Sequence, residues 1–194
     1  MAPRDRMDAE KPNTPLKPPT MKEIPTNKID DGLRLCDRNI RQFVKDAHIL
    51  MKESSDYHAI AFAIFAFEEL AKYSELKKAK ESATQSTVKI DKRLLGGREA
   101  HRYKQNIARK LIPPEAMIVM PAGFDPAGFD SKGFTTEDVE ISPPLRLDCL
   151  FVNWKEEEGT WDLGCPVLPD QIKKFTDAIL NELEKQNRFK SGLS

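Results

Sequence analysis

Apolar positions recur along this chain mostly with the period of a helix. Leu33, Cys36, Ile40, Val44, Ala47 and Met51 fall every three to four residues and predict an amphipathic helix to about Lys52, with Asp30 and Asp31 as caps. Tyr57 to Lys80 departs from that pattern by excess. Nine apolar residues run unbroken from Ala59 to Phe67, then Glu68 and Glu69, then a Lys-rich end. The alternation Ala59 to Ile64 suits a buried strand, but the length of the segment and its Ala, Glu, Leu and Lys content favour a helix. A helix apolar on every side needs neighbours all round, so this one is predicted to be the centre of a bundle. Ser54, Ser55 and Asp56 supply N-caps, and the short turn over 53–56 predicts an antiparallel pair with the first helix. Ala59, Ala63 and Ala66 form a stripe where a neighbour can approach closely.

Residues 82–97 form a connection punctuated by Gly96-Gly97. A third helix is predicted from Arg98 to Ile112, stopped by Pro113-Pro114, with Ala100, Tyr103, Ile107 and Leu111 inward. Residues 113–145 lose the period. They repeat AGFD at Ala122–Asp125 and Ala127–Asp130, space Phe124, Phe129 and Phe134 evenly, and read as an inserted loop. Residues 147–162 predict a β-hairpin with a charged tip at Glu156-Glu157-Glu158, and Pro169-Asp170 opens a last helix to about Gln186. The fold expected is mainly α: about four principal helices with a small β-hairpin before the last. The helical domain spans 29–187, after a Pro- and charge-rich tail over 1–28 too poor in apolar residues to order itself, and before a frayed end over 188–194.

Composition narrows the function. The 194 residues are 39% hydrophobic, enough for one core. Lys+Arg and Asp+Glu stand at 31 each, so any nucleic-acid site must be local rather than a property of the whole surface. Cys36, Cys149 and Cys165 lack metal-ligand spacing and read as reduced thiols. No apolar run approaches the ~20 residues of a membrane span, so a cytoplasmic protein with no membrane partner is expected. Asp125, Asp130, Glu137, Asp138 and Glu140 do not follow a calcium-loop spacing, and neither metal nor cofactor is expected.

Candidate chemistry concentrates in two places. Glu69 lies one turn past Phe65 and Glu68 one turn past Ile64, so at least one carboxylate belongs at the buried edge and needs a cation. Lys72, at i+4 from Glu68 and i+3 from Glu69, is the local partner, giving either a surface ion pair or one half of a polar site. On the third helix His101 and Lys104 flank the apolar stripe, with Arg98 one turn upstream. A glutamate facing His101 fixes the imidazole tautomer. The alternative is that the acids merely neutralise Lys104 or His101 to close the bundle.

Four segments in this order resemble AbiV-type abortive-infection proteins of the HEPN superfamily: Asp56-Tyr57-His58-Ala59; Glu68-Glu69-Leu70-Ala71-Lys72, similar to an EELxK signature; His101-Arg102-Tyr103-Lys104, similar to HxxK; and Leu150-Phe151-Val152-Asn153 followed by Trp161 and Pro166. The chain departs from the family pattern at Asn153, where the pattern has Asp. The resemblance implies a HEPN bundle, defence against phage by arrest of the infected cell, and a homodimer joined through the alanine stripe or the flank of the third helix. Many such proteins are metal-independent ribonucleases with an Arg-x4-6-His motif. Arg98 and His101 are too close in sequence to meet that spacing, and with Lys104, Glu69, Glu68 and Lys72 they form the candidate catalytic group. Arg41 and His48, with six residues between them, meet the motif spacing on the first helix and are the alternative pair. RNA is then the substrate. A non-enzymatic module that binds a phage protein or a translation component through the 113–145 loop or the hairpin tip is the second reading, favoured by the balanced charge. A plain helical adaptor is a third.

Overall fold

The computed structural model describes residues 19–97, 100–117, 153–155, 160–162 and 169–188. Strand β1 (Met21–Pro25) leads directly into helix α1 (Thr26–Lys52), and helix α2 (Asp56–Glu81) follows after a tight turn. Ser54 makes that turn with a left-handed φ of 56°, and the Ser55 amide donates back to the Leu50 carbonyl at 2.8 Å. Strand β2 (Thr87–Asp91), a 3-10 turn (Lys92–Leu94), helix α3 (Ala100–Ala108) and a second 3-10 turn (Pro114–Ala116) come next. A short ladder of β3 (Asn153–Lys155) and β4 (Thr160–Asp162) precedes helix α4 (Pro169–Arg188).

Helix α2 is the axis of the fold. Ala59, Ile60, Ala61, Ala63, Ile64, Ala66, Phe67, Leu70 and Ala71 are wholly buried, as an all-apolar sequence requires. Helix α1 runs antiparallel to it: Asp30 pairs with Lys80, Gly32 lies under Leu76, and Phe43 meets Phe62 and Phe65. At Gly32 an added Cβ would come within 3.1 Å of Leu76 Cδ1, so the smallest residue stands where the α2 side chain leaves little room. Helix α4 covers another side, with the Phe67 and Phe175 rings 5.1 Å apart. It runs antiparallel to α1, since His48 meets Thr176 while Arg41 meets Glu184. Tyr73 donates to Asn187 at 2.6 Å, Asn187 donates to Asp37 at 3.1 Å, and Lys77 caps the Gln186 carbonyl, tying three helices at one end.

The mainly α bundle and the β3–β4 hairpin, with Trp154 opposite Trp161, match the expectation from sequence. Several boundaries differ. Met21–Pro25 is not tail: it pairs antiparallel with β2, Met21 opposite Asp91 and Pro25 opposite Thr87, and α1 starts four residues before Asp30. Thr26 sets that start, its amide bonding the Ser86 carbonyl and its hydroxyl the Gln85 carbonyl. No side chain caps α2, and Ser55 Oγ instead meets His58 Nδ1 at 2.8 Å. Helix α3 ends at Ala108, four residues before Ile112. The alanine stripe is no dimer contact: Ala59, Ala63 and Ala66 are 0% exposed within one chain. Arg98, residues 1–18, nearly all of the inserted loop, and the hairpin tip at 156–158 lie outside the described residues.

Candidate active site

The site forms where α3 crosses the middle of α2. Glu68 is 3% exposed, the one carboxylate on the buried face of α2, and it is reached by three donors from α3. His101 Nδ1 lies 2.6 Å from Glu68 Oε2, Lys104 Nζ lies 3.2 Å from the same oxygen, and Gln105 Nε2 lies 2.9 Å from Oε1. Positions 101, 104 and 105 fall on one face of a helix at i, i+3 and i+4, which is why a single turn of α3 delivers all three. Burial raises the Glu68 carboxyl, but the hydrogen bond from His101, the Lys104 charge and the Gln105 amide outweigh it and hold the group below the ordinary carboxylate range. The acid is therefore an anion at neutral pH.

Exposure is graded across the group. The side chains of Glu68 and Lys104 are 4% and 10% exposed, while that of His101 is 35% exposed. An ionised carboxylate only accepts, so neutral His101 carries its proton on Nδ1 and its lone pair on Nε2. Lys104 on the same oxygen matches the charge of Glu68, so His101 faces an ion pair rather than a bare carboxylate. That arrangement orients a base whose ring reaches the surface.

The other expected residues go elsewhere. Glu69 turns toward α1, bonding Lys72 at 2.5 Å and lying beside the buried Cys36 thiol. Lys72 thus serves Glu69 and not Glu68. Arg41 bonds Asp37 at 3.0 Å and Glu184 at 2.6 Å, and His48 Nε2 meets Thr176 Oγ1 at 2.8 Å. The Thr176 hydroxyl also lies within hydrogen-bond distance of the Ile172 and Lys173 carbonyls. Both members of the alternative pair are engaged with α4. Gln105 was missed by sequence reasoning, although its i+4 spacing from His101 was there to be read. A separate cluster supports α3 from behind: Asp91 grips the Arg93 guanidinium at 2.6 Å, and Arg93 stacks 4.1 Å above the Tyr103 ring. Among the described residues no group of three His, Cys, Asp or Glu side chains forms a metal site.

The family model for AbiV, a HEPN family, matches residues 28–183, which includes both halves of this site. The chain is an AbiV-family HEPN protein. No curated protein matches it. No solved structure matches it. Membership accounts for the resemblance of the segments that lie within residues 28–183. It also agrees with the bundle seen here, in which the EELxK segment of α2 and the HxxK segment of α3 meet through Glu68, His101 and Lys104. No described helix is long and apolar enough to cross a membrane.

Proposed function

We propose that this AbiV-family protein acts in abortive infection, arresting the infected cell by cleaving RNA with His101 as general base. The observation that supports this reading is the 2.6 Å contact between Glu68 Oε2 and His101 Nδ1, which makes Nε2 the basic atom of the neutral, partly exposed ring. On an RNA substrate Nε2 takes the proton of the 2′-hydroxyl and the freed oxygen attacks phosphorus. The P–O bond to the 5′-oxygen then breaks, and that oxygen takes a proton from solvent water, giving a 2′,3′-cyclic phosphate while His101 returns its proton to solvent. Lys104 is committed to Glu68 and holds the charge balance of the base. The cation that meets the phosphorane must come from another side chain, and Arg98, three residues before His101 in the sequence, is the residue proposed for it. A homodimer pairing two such sites belongs to the same proposal, and sedimentation equilibrium of the purified chain tests it.

The experiment is to incubate wild type and His101→Ala with total cellular RNA. Wild type is expected to cleave, and the variant to be slower by about 10²- to 10⁴-fold, the usual contribution of a positioned base. Equal cleavage by both, or none by either, removes His101 from a catalytic role.

The second reading is a non-enzymatic module that binds a phage protein or a translation component. The balance of 31 cationic and 31 anionic residues favours it, because a protein that grips phosphates usually carries a basic footprint. Phage plating separates the two readings: protection that survives His101→Ala belongs to the module.

A further inference from the structure

We propose that Gln105 is a positioning residue of this site, its side-chain amide fixing the torsion of the Glu68 carboxylate so that the other oxygen stays in line with His101 Nδ1. For its catalytic meaning the inference rests on the RNA-cleavage reading above. Three donors converge on one buried carboxylate, and they divide unevenly: His101 and Lys104 share Oε2, while Gln105 holds Oε1. The terminal torsion of a glutamate is a soft two-fold rotor with equivalent oxygens, and by itself it does not hold the angle that puts an oxygen in line with each donor. Lys104, an ammonium on a flexible stem, can follow either oxygen as the group turns. Gln105 cannot follow in this way. It is 2% exposed and leaves the same turn of α3 as His101, so its Nε2 has one place to donate.

The residue type fits that task. Lys104 already matches the charge of Glu68, and a further cation in this buried position would leave an unmatched charge. A neutral amide adds a donor without adding charge. An apolar residue of the same length would fill the space but free the rotor and leave Oε1 buried without its bond.

The test is Gln105→Met in the full chain, which conserves length and volume and removes the donor. The chain has three histidines, so the ring nitrogens of His101 can be followed by long-range proton–nitrogen correlation and assigned with His101→Gln. The expected wild-type pattern of the neutral ring is the Nδ1–H tautomer. Gln105→Met is expected to move it toward a mixture with the Nε2–H form and, in RNA cleavage, to lower kcat by about 10- to 100-fold with KM within about twofold. A purely structural Gln105 would lower stability and leave the tautomer unchanged, and that result overturns the proposal. Should Gln105→Met fail to fold, the side-chain amide of Gln105 in wild type decides. Slow exchange and displaced amide shifts support the proposal, and the behaviour of a solvated glutamine overturns it. Absence of RNA cleavage by wild type overturns the functional reading alone, because the tautomer is measured without RNA.

Discussion

Glu68 shows how a single side chain can be costly and necessary at once. Burial alone would neutralise it, and only the three donors of α3 keep it ionised. Its carboxyl is held below its ordinary value of 4.5, so the stability this gives is present above that value and is lost as pH falls through the lowered one. A urea midpoint that drops as the solution is acidified below about 4.5 is expected. The drop should be smaller in Glu68→Gln, which has no carboxyl to protonate. At neutral pH that variant leaves Lys104 buried without its anion and should lose about 3–5 kcal/mol, read from the same urea curves. Cys36 carries the opposite case. Burial, reinforced by the neighbouring Glu69, pushes its thiol up to about 12. Mass spectrometry of its tryptic peptide should therefore find no alkylation by iodoacetamide at pH 8 in the native protein and full alkylation in urea.

At the scale of elements, α2 is held by contacts it could not make alone, and α4 is the neighbour whose docking is easiest to test. The Phe67 and Phe175 rings are both 0% exposed and tilted at 51° to each other. Phe67→Ala and Phe175→Ala should each cost about 3–5 kcal/mol, and the double variant should fall short of their sum by about 0.5–1.5 kcal/mol. Thermal melts of the four proteins give the cycle, and strict additivity would mean that the rings do not support each other. Helix α3 is a weaker element, nine residues long and tied on one side by the Arg93–Tyr103 stack. A segment that short does not hold itself as a helix in water, so its three donors stay in place only while α2 and the Asp91–Arg93 turn hold it.

For the whole molecule, α2 should be the last part to open. Surrounded by α1, α3 and α4, its amides from Ala59 to Ala71 are expected to exchange with deuterium only through global unfolding, at the free energy given by urea melts. Those of β1 and of the last turn of α4 should exchange through local opening. Exchange of α2 ahead of α1 would refute the central placement.

The α2 helix was legible in the sequence because an unbroken apolar run is unambiguous about burial whatever lies beside it. The amphipathic stripes of α1 and α4 and the hairpin turn over 53–56 were legible for a similar reason, since period and turn chemistry are local. The β1–β2 ladder was not. Met21 and Asp91 stand seventy residues apart by number, and neither strand carries an alternation strong enough to announce itself. The choice between Glu68 and Glu69 also lay beyond the sequence. Adjacent positions on a helix differ by about 100°, and both were within reach of Lys72. Packing decided it by placing α1 against one residue and α3 against the other. The sequence by itself therefore determined which helices exist, which one is central and which residue types are available for chemistry, because these follow from local periodicity and composition. Only the tertiary structure decided which acid meets His101, that Gln105 joins it and that Arg41 and His48 are spent on α4, because each of these depends on the angle at which one helix crosses another.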